Sequence, residues 1–274
     1  MSNWQSDDLQ VNGLRLHYTR TGGAKPPLVL VHGFSDDGSC WNPLAERFED
    51  DYDVIMPDAR GHGFSEAPES GYSPHDQATD LQGIITALGL HKPLILGHSM
   101  GAVTTLALAS LYPDVPGAIL LEDPPAWWTS SGLPKASTPE QLAKMRESFI
   151  ARKTQTRESL IAKQHSETPV WSDAELGPWA DSKLRLSPNV VGLFEQSVVT
   201  SVDWATVLPR ISCPALLITA EVARSAIVSA EAAAALKTIV PQLEVAHIAD
   251  AGHCIHRDQL GVYMGAVKTF LAGL

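Results

Sequence analysis

Short apolar runs recur along the chain and alternate with longer stretches of helical spacing. The runs are LVLVHG (28 to 33), DVIMPD (53 to 58), LILGHS (94 to 99), AILLED (118 to 123), ALLITA (215 to 220) and LEVAHI (243 to 248). Helical spacing occurs between them, over residues 75–89, 102–112, 230–239 and 261–271. Apolar strands that alternate with helices are typical of a parallel sheet covered by helices. The pattern therefore predicts an α/β fold with a mostly parallel sheet.

The N-terminal segment VNGLRLHYTR (11 to 20) follows a different pattern. Apolar and polar residues alternate there around an Asn-Gly pair. Asn-Gly is a strong signal for a two-residue hairpin turn. We therefore predict an antiparallel hairpin at one edge of the sheet.

The interval between AILLED and ALLITA is far longer than the other intervals. It contains a helix candidate, Thr138 to Gln164, whose Thr-Pro-Glu start suits a first helical turn. It also holds most of the tryptophans, namely Trp127, Trp128, Trp171, Trp179 and Trp204. A loop of this length without structure is uncommon in a compact domain. We therefore predict a core domain of residues 1–123 and 210–274, with a helical cap domain inserted over 124–209.

Charge and composition narrow the classes of partner. The formal net charge is -11 and no basic stripe is evident, which argues against a nucleic-acid partner. The polar start MSNWQSDDLQ lacks a signal pattern, and no run of about 18 apolar residues occurs, so no membrane partner is expected. Cys40, Cys213 and Cys254 lack CxxC spacing and are interpreted as reduced thiols of a cytoplasmic protein. No pattern indicates an oligomeric state.

The motif Gly97-His98-Ser99-Met100-Gly101 directly follows an apolar run and directly precedes a helical pattern. A GxSxG motif in this context is typical of a nucleophile elbow, a sharp turn that exposes the serine while the glycines make room for crowded backbone. The helix N-terminus behind it favours an oxyanion. Ser99 is therefore the predicted nucleophile. The structural alternative is a strand-to-helix turn that happens to be rich in small residues.

Together with three further motifs, the elbow resembles the α/β-hydrolase superfamily over essentially the whole chain. LVLVHGF (28 to 34) resembles the strand-three motif, DARGHGFS (58 to 65) the turn after strand four, and DAGHCIH (250 to 256) the segment that delivers the catalytic histidine. The subgroup with a helical cap inserted after strand six is the most similar. The resemblance implies an oxyanion hole formed by the backbone N–H groups of Phe34 and Met100.

His253 is the predicted general base. It follows a glycine in a loop after the last predicted strand, at the edge where sites of parallel sheets form. An imidazole titrates close to neutral pH and suits this role. His256 is expected to pack or cap, His247 to hydrogen-bond within its strand, and His98 to shape the pocket. His253-x-x-His256 with Cys254 lacks a further spaced ligand, so neither a metal nor a cofactor is predicted.

The third member of the triad departs from the usual pattern of the superfamily. The resemblance implies an aspartate after strand seven, but the matching position is Ala223, and Glu221 is shifted by two positions. Some superfamily members, including haloalkane dehalogenases and a lactone-cleaving group, supply the acid from the end of strand six, where Glu122 aligns. Neighbouring strand residues point to opposite faces, so Glu122 and Asp123 cannot both serve.

We predict Glu122 as the acid, with Asp123 and Glu221 as alternatives. Asp123 lies directly before Pro124 and is expected to be extended and to brace the entry to the cap.

A serine at the elbow separates the chain from the haloalkane dehalogenases and epoxide hydrolases of this superfamily, which use an aspartate there. The predicted function is hydrolysis of a carboxylic ester or lactone of a small to medium apolar substrate through an acyl-enzyme. His98, Trp127 and Trp128 are the predicted pocket residues, because aromatic rings provide apolar contact area.

Four alternatives stay open. An amidase would use the same residues. A carbon-carbon bond hydrolase is compatible with Met100 after the serine and a cap arginine such as Arg146 or Arg152. A cofactor-free perhydrolase has similar HGF and SMG signatures, but the long insertion argues against it. A non-enzymatic ligand receptor could keep both the fold and the triad.

Overall fold

A computed structural model describes residues 4–129, 132, 135–195, 198 and 201–274. Within these residues, eight strands form one sheet. The strands are β1 (Gln5–Val11), β2 (Leu14–Arg20), β3 (Pro27–Val31), β4 (Asp53–Pro57), β5 (Leu94–His98), β6 (Ala118–Glu122), β7 (Ala215–Thr219) and β8 (Leu243–His247).

The strand order across the sheet is β1-β2-β4-β3-β5-β6-β7-β8. β1 and β2 pair with each other, and β2 with β4, in antiparallel fashion, whereas β3 to β8 run parallel to one another. The predicted mostly parallel α/β sheet is confirmed. The order places β5 between β3 and β6, so three carboxyl ends that carry sequence motifs lie side by side.

The hairpin at the sheet edge is also as predicted. Asn12 and Gly13 form its turn with φ values of 52° and 80°. Positive φ at both central residues is the requirement of a type I′ turn, whose twist matches that of the paired strands. The first strand of the hairpin begins earlier than the predicted segment, at Gln5.

The helices are α1 (Asn42–Ala45), α2 (Pro74–Ala87), α3 (Met100–Leu111), α4 (Pro139–Arg152), α5 (Arg157–Glu167), α6 (Asp173–Arg185), α7 (Trp204–Val207), α8 (Ala230–Ile239), α9 (Ile255–Asp258) and α10 (Leu260–Ala272). Short 3₁₀ helices lie at Gly38–Trp41, Pro188–Phe194, Leu208–Arg210 and Val222–Arg224. In the described ranges, none of the helices combines the length and the apolar character needed to cross a bilayer.

The two faces of the sheet are covered by different helices. Residues of α2, α3 and α8 pack on one face, and residues of α1 and α10 pack on the other. Successive residues of β6 alternate between the two cores, with Ile119 in the first and Leu120 in the second. The alternation continues at the end of β6, so the side chains of Glu122 and Asp123 point to opposite faces of the sheet.

The long interval between β6 and β7 contains α4 to α7. The prediction of one helix from Thr138 to Gln164 is wrong, because α4 ends at Arg152 and α5 begins at Arg157. The side-chain oxygen of Thr156 accepts a hydrogen bond from the Ser159 backbone N–H, which caps α5 and starts a new helix. The domain bounds 1–123, 124–209 and 210–274 stay a prediction.

Candidate active site

Ser99 lies in the tight turn between β5 and α3. Its backbone has φ 52° and ψ -114°, a region that residues with a Cβ rarely occupy. The Ser99 N–H donates a hydrogen bond of 2.9 Å to the Glu122 carbonyl oxygen on the neighbouring strand. The turn is therefore fastened to β6, which also supplies the carboxylates of the site.

The two glycines of the motif are required by close backbone contacts. A Cβ on Gly97 would lie 2.4 Å from the Gly101 carbonyl oxygen, and one on Gly101 would lie 2.1 Å from the Val31 carbonyl oxygen. Neither position can hold a larger residue without displacing backbone. The crowded turn predicted from GxSxG is therefore present.

Ser99, His253 and Asp123 form a hydrogen-bonded series. The Ser99 Oγ atom lies 2.9 Å from His253 Nε2, and His253 Nδ1 lies 2.7 Å from Asp123 Oδ2. The structure thus brings the predicted nucleophile and the predicted base together. It joins them to the aspartate at the end of β6, which the sequence analysis kept only as an alternative.

Asp123 is fully buried, and its carboxylate is satisfied by three partners. Besides His253, the backbone N–H groups of Ile227 and Val228 donate to it at 2.8 and 2.9 Å. The expected extended backbone at Asp123 is wrong, because its φ is 41°. Aspartate tolerates this left-handed region better than most residues, and the turn aims the carboxylate at the loop after β8.

The prediction that Glu122 orients His253 is wrong. The Glu122 carboxylate accepts hydrogen bonds from the His256 backbone N–H at 3.0 Å and from its Nδ1 at 2.8 Å. Glu122 continues the β6 face that packs on α10, whereas Asp123 lies on the opposite side. One Glu-Asp pair therefore serves two histidines that are three residues apart. His256 has the packing role predicted for it.

The Glu122 carboxylate is charged despite complete burial. Burial by itself would raise its pKa, but His256 and His98 together with the hydrogen bonds from His256 lower the pKa to about 2. The remaining acid candidate, Glu221, pairs with Arg224 at 2.9 Å near the surface. The structure does not bring Glu221 to His253.

The prediction that His98 lines the pocket is wrong, because His98 is not among the described lining residues of the cavity at Ser99. His98 Nε2 donates to the His253 carbonyl oxygen at 3.0 Å, and its ring centre lies 4.7 Å from that of His253. Burial lowers the pKa of His98 to about 3, so the ring is neutral near pH 7. A neutral His98 therefore supports the loop that carries His253, by this hydrogen bond and by contact between the two rings.

A cavity of about 280 Å³ opens at Ser99. Its walls are formed by Phe34, Pro74, Gln77, Ser99, Met100, Val103, Pro125, Trp127, Leu193 and Phe194. None of these described lining residues carries a charge. Phe34 and Met100, the residues of the predicted oxyanion hole, both border the cavity beside the serine.

The tryptophans contribute less to the cavity than expected. Trp127 lines it, but the Trp128 Nε1–H donates to the Ala232 carbonyl oxygen at 2.8 Å, and Trp128 is not among the lining residues. The Trp171 Nε1–H likewise donates to Asp258 Oδ1 at 2.8 Å. These rings attach the inserted segment to the core.

Gln77 also lines the cavity, and the sequence analysis did not predict this. The available signal was a polar residue on the largely apolar face of α2.

The chain matches the family model described as "alpha/beta hydrolase fold" over residues 26–259. It is 29% identical over 268 residues to an N-formylmaleamate deformylase of Pseudomonas putida, an alignment that covers 96% of this chain and 95% of that protein.

Two solved structures with the same fold are similar over nearly the full chain. One is a thermophilic esterase from Thermogutta terrifontis, with a TM-score of 0.73, 24% identity and 98% coverage of both chains. The other is an enol-lactonase from Burkholderia xenovorans, with a TM-score of 0.74 and 23% identity, which covers 97% of this chain and 99% of that chain. At these identities the two structures support the fold alone.

The first prediction concerns the second carboxylate–histidine pair. Replacing Glu122 by Gln removes a buried charge that accepts hydrogen bonds, so we expect the free energy of unfolding to fall by about 2 kcal/mol at pH 7. The folded-state pKa of about 2 lies below the ordinary value of 4.5. The stabilisation is therefore complete above about pH 4.5 and is lost as the pH falls towards 2.

Urea unfolding of wild type and Glu122→Gln between pH 7 and pH 3 measures this difference. Glu221→Gln, which removes the charge of a partly exposed carboxylate, is the matched control and should change stability by under about 0.5 kcal/mol. A difference that stays constant across this pH range would contradict the charged state of Glu122.

Proposed function

The chain belongs to the alpha/beta hydrolase fold family and is a hydrolase, and we propose that it cleaves a carboxylic ester or lactone through an acyl-enzyme. The observation that carries the proposal is the series Ser99–His253–Asp123, whose serine opens into a largely apolar cavity with no charged side chain among the lining residues that the structure describes. The substrate is small to medium in size and apolar.

In the proposed mechanism Ser99 Oγ attacks the carbonyl carbon while His253 Nε2 takes the hydroxyl proton. The carbonyl oxygen becomes an oxyanion, which the backbone N–H groups of Phe34 and Met100 stabilise. The oxyanion collapses, the bond to the alcohol oxygen breaks, and His253 returns its proton to the leaving alkoxide. Water then attacks the carbonyl carbon of the acyl-enzyme and gives a proton to His253. The second oxyanion collapses, the bond to Ser99 Oγ breaks, His253 returns the proton to Oγ, and the acid is released.

Asp123 holds His253 in the tautomer that this chemistry requires. Its carboxylate accepts from Nδ1, so the hydrogen must lie on that nitrogen, and Nε2 is left free to accept the serine proton. The negative charge also stabilises the imidazolium that forms during attack. Because two backbone N–H groups hold the carboxylate, its position does not depend on the histidine.

The cavity wall favours an uncharged substrate. An anionic substrate, such as the maleamate in the name of the Pseudomonas putida relative, would meet no cationic side chain among the described lining residues. Arg146 donates to Asn189 on the outside of the inserted segment, and Arg152 lies over Phe149. Neither arginine lines the cavity, which removes the main support for the carbon-carbon bond hydrolase.

Amide hydrolysis is the second candidate function, because the relative that aligns over nearly the whole chain is named a deformylase. The same residues would act, with His253 protonating an amine instead of an alkoxide. Parallel assay of an ester and the amide of the same acyl chain separates the two candidates.

The second prediction tests the acid by the pair Asp123→Asn and Glu122→Gln. An Asn side chain can still accept the Ile227 and Val228 N–H groups with its oxygen, but its NH₂ group then faces His253 Nδ1. This forces the wrong tautomer, so we expect kcat to fall by about 10⁴ with the fold retained. Glu122→Gln should keep kcat within about tenfold, because its partner does not contact the serine.

Hydrolysis of p-nitrophenyl butyrate measures both variants, and Ser99→Ala sets the background rate. Comparable losses in the two variants, or a normal rate for Asp123→Asn, would refute the assignment of Asp123. If wild type hydrolyses the ester and Ser99→Ala does not, the alternative that the protein is a non-enzymatic ligand receptor is also excluded.

The third prediction concerns Gln77, whose amide side chain lines the cavity wall. Its Nε2 donates to the Tyr72 carbonyl oxygen at 3.2 Å, and its Oε1 accepts from the Thr104 hydroxyl at 3.3 Å. An amide NH₂ group has two N–H donors, so one is available to a neutral oxygen of the substrate.

We therefore expect Gln77 to favour p-nitrophenyl 4-methoxybutyrate over the equally long p-nitrophenyl hexanoate. Gln77→Met should lower kcat/KM for the ether ester about tenfold relative to the hexanoate, the equivalent of one hydrogen bond. Val103→Ile, a change elsewhere in the wall, is the control for altered volume. An unchanged ratio of the two kcat/KM values in Gln77→Met would show that the amide does not contact the acyl chain.

A further inference from the structure

The turn that carries Phe34 has a backbone conformation that needs external support. This turn, Gly33 to Asp36, follows β3, and the Asp36 N–H donates to the Gly33 carbonyl oxygen at 3.2 Å. Ser35 has φ 65°, in the left-handed region that residues with a Cβ seldom occupy. Such a conformation persists only where surrounding groups hold it.

His32 of the core donates from Nδ1 to the Gly33 carbonyl oxygen at 2.8 Å, and a second supporting group, which reaches Ser35 and Asp36, comes from the inserted segment between β6 and β7. Lys183, near the end of α6, donates from Nζ to the Ser35 carbonyl oxygen at 2.9 Å and to Asp36 Oδ1 at 2.5 Å. Its side chain is 5% exposed, so these bonds replace water almost completely. A single ammonium group therefore fixes two consecutive residues of the turn.

The same contact reaches the loop that carries His253. Asp36 Oδ2 accepts from Arg257 Nη2 at 2.9 Å, and Arg257 also donates to Glu175 of α6 at 3.3 Å. Burial by itself raises the pKa of Asp36, but the charges of Arg257 and Lys183 hold it well below its usual value. A charged Asp36 thus lies between one cation of α6 and one of α9.

We propose that Lys183 is a positioning residue for the oxyanion hole, so that the Phe34 N–H is correctly oriented only when α6 is docked on the core. The inference rests on the proposed function, since it assigns the oxyanion to the Phe34 and Met100 N–H groups. Loss of Lys183 frees the Ser35 carbonyl and lets the strained turn relax. A relaxed turn moves the neighbouring Phe34 N–H away from the position of the developing charge.

Arg185 provides a matched control on the same helix. It donates to Asp37 Oδ2 at 2.7 Å and to Ser39 Oγ at 3.1 Å, both beyond the Gly33–Asp36 turn. Arg185 therefore joins α6 to the same loop without contacting the turn itself. If Lys183 only attached α6 to the core, the loss of either cation would have a similar effect.

The fourth prediction compares Lys183→Met with Arg185→Met in the full-length protein. We expect Lys183→Met to lower kcat for p-nitrophenyl butyrate by about 100-fold with KM within about threefold, because an oxyanion donor acts mainly in the transition state. Affinity for a trifluoromethyl ketone, whose adduct with Ser99 carries the oxyanion, should fall by a similar factor. Arg185→Met should keep kcat within about threefold.

Equal losses in the two variants, or a Lys183→Met effect confined to KM, would overturn the positioning role. If Lys183→Met does not fold, Lys183→Arg is used, because it keeps the charge beside Asp36. A guanidinium cannot place its donors where Nζ lies, so kcat should still fall at unchanged KM. A wild-type kcat in Lys183→Arg would count against the proposal.

The rate at which a fluorophosphonate modifies Ser99 separates this inference from the proposed function. That reaction needs the nucleophile and the oxyanion hole but no particular ester. Fast modification of wild type and Arg185→Met, with slow modification of Lys183→Met, would support the positioning role even if no ester were hydrolysed. Equal modification rates in all three proteins would overturn it.

Discussion

The requirement to satisfy two buried carboxylates at the end of β6 determines much of this site. Glu122 and Asp123 have no solvent exposure, and an unpaired charge there would cost several kcal/mol. Each is therefore paired with a histidine of the segment after β8, His253 in the loop and His256 at the start of α9. The two pairs fasten that segment to the central strands at two points, and the Glu122 carbonyl oxygen also holds the backbone of Ser99.

The two pairs differ in what they can do, because their histidines differ in access. The His253 side chain is 30% exposed and its second nitrogen contacts Ser99, whereas the His256 side chain is 3% exposed. A proton on His253 can reach a bound molecule, and one on His256 cannot. Two carboxylate–histidine pairs in neighbouring positions therefore have different roles. Asp123–His253 is the reactive pair, and Glu122–His256 is the structural pair.

The sequence was sufficient for features that depend on local pattern. The strands, the Asn-Gly hairpin, the glycines around Ser99 and the loop position of His253 each follow from a few neighbouring residues. The choice between Glu122 and Asp123 depends on two things without a local signal. One is the positive φ of Asp123, and the other is the pair of N–H groups at Ile227 and Val228 that receive its carboxylate.

The roles of side chains in the inserted segment also depend on contacts with distant residues and not on local sequence pattern. Its tryptophans indicated an aromatic pocket, but Trp128 and Trp171 use their N–H groups to bind the core, and phenylalanines from both parts complete the cavity. The buried cations Lys183, in this segment, and Arg257, in α9, are explained only by their shared partner Asp36, from which both lie far in sequence. Buried ion pairs add little net stability when compared with apolar packing, but they strongly penalise a misplaced partner. Such pairs therefore suit an interface whose alignment matters more than its strength, as between α6 and the turn that carries Phe34.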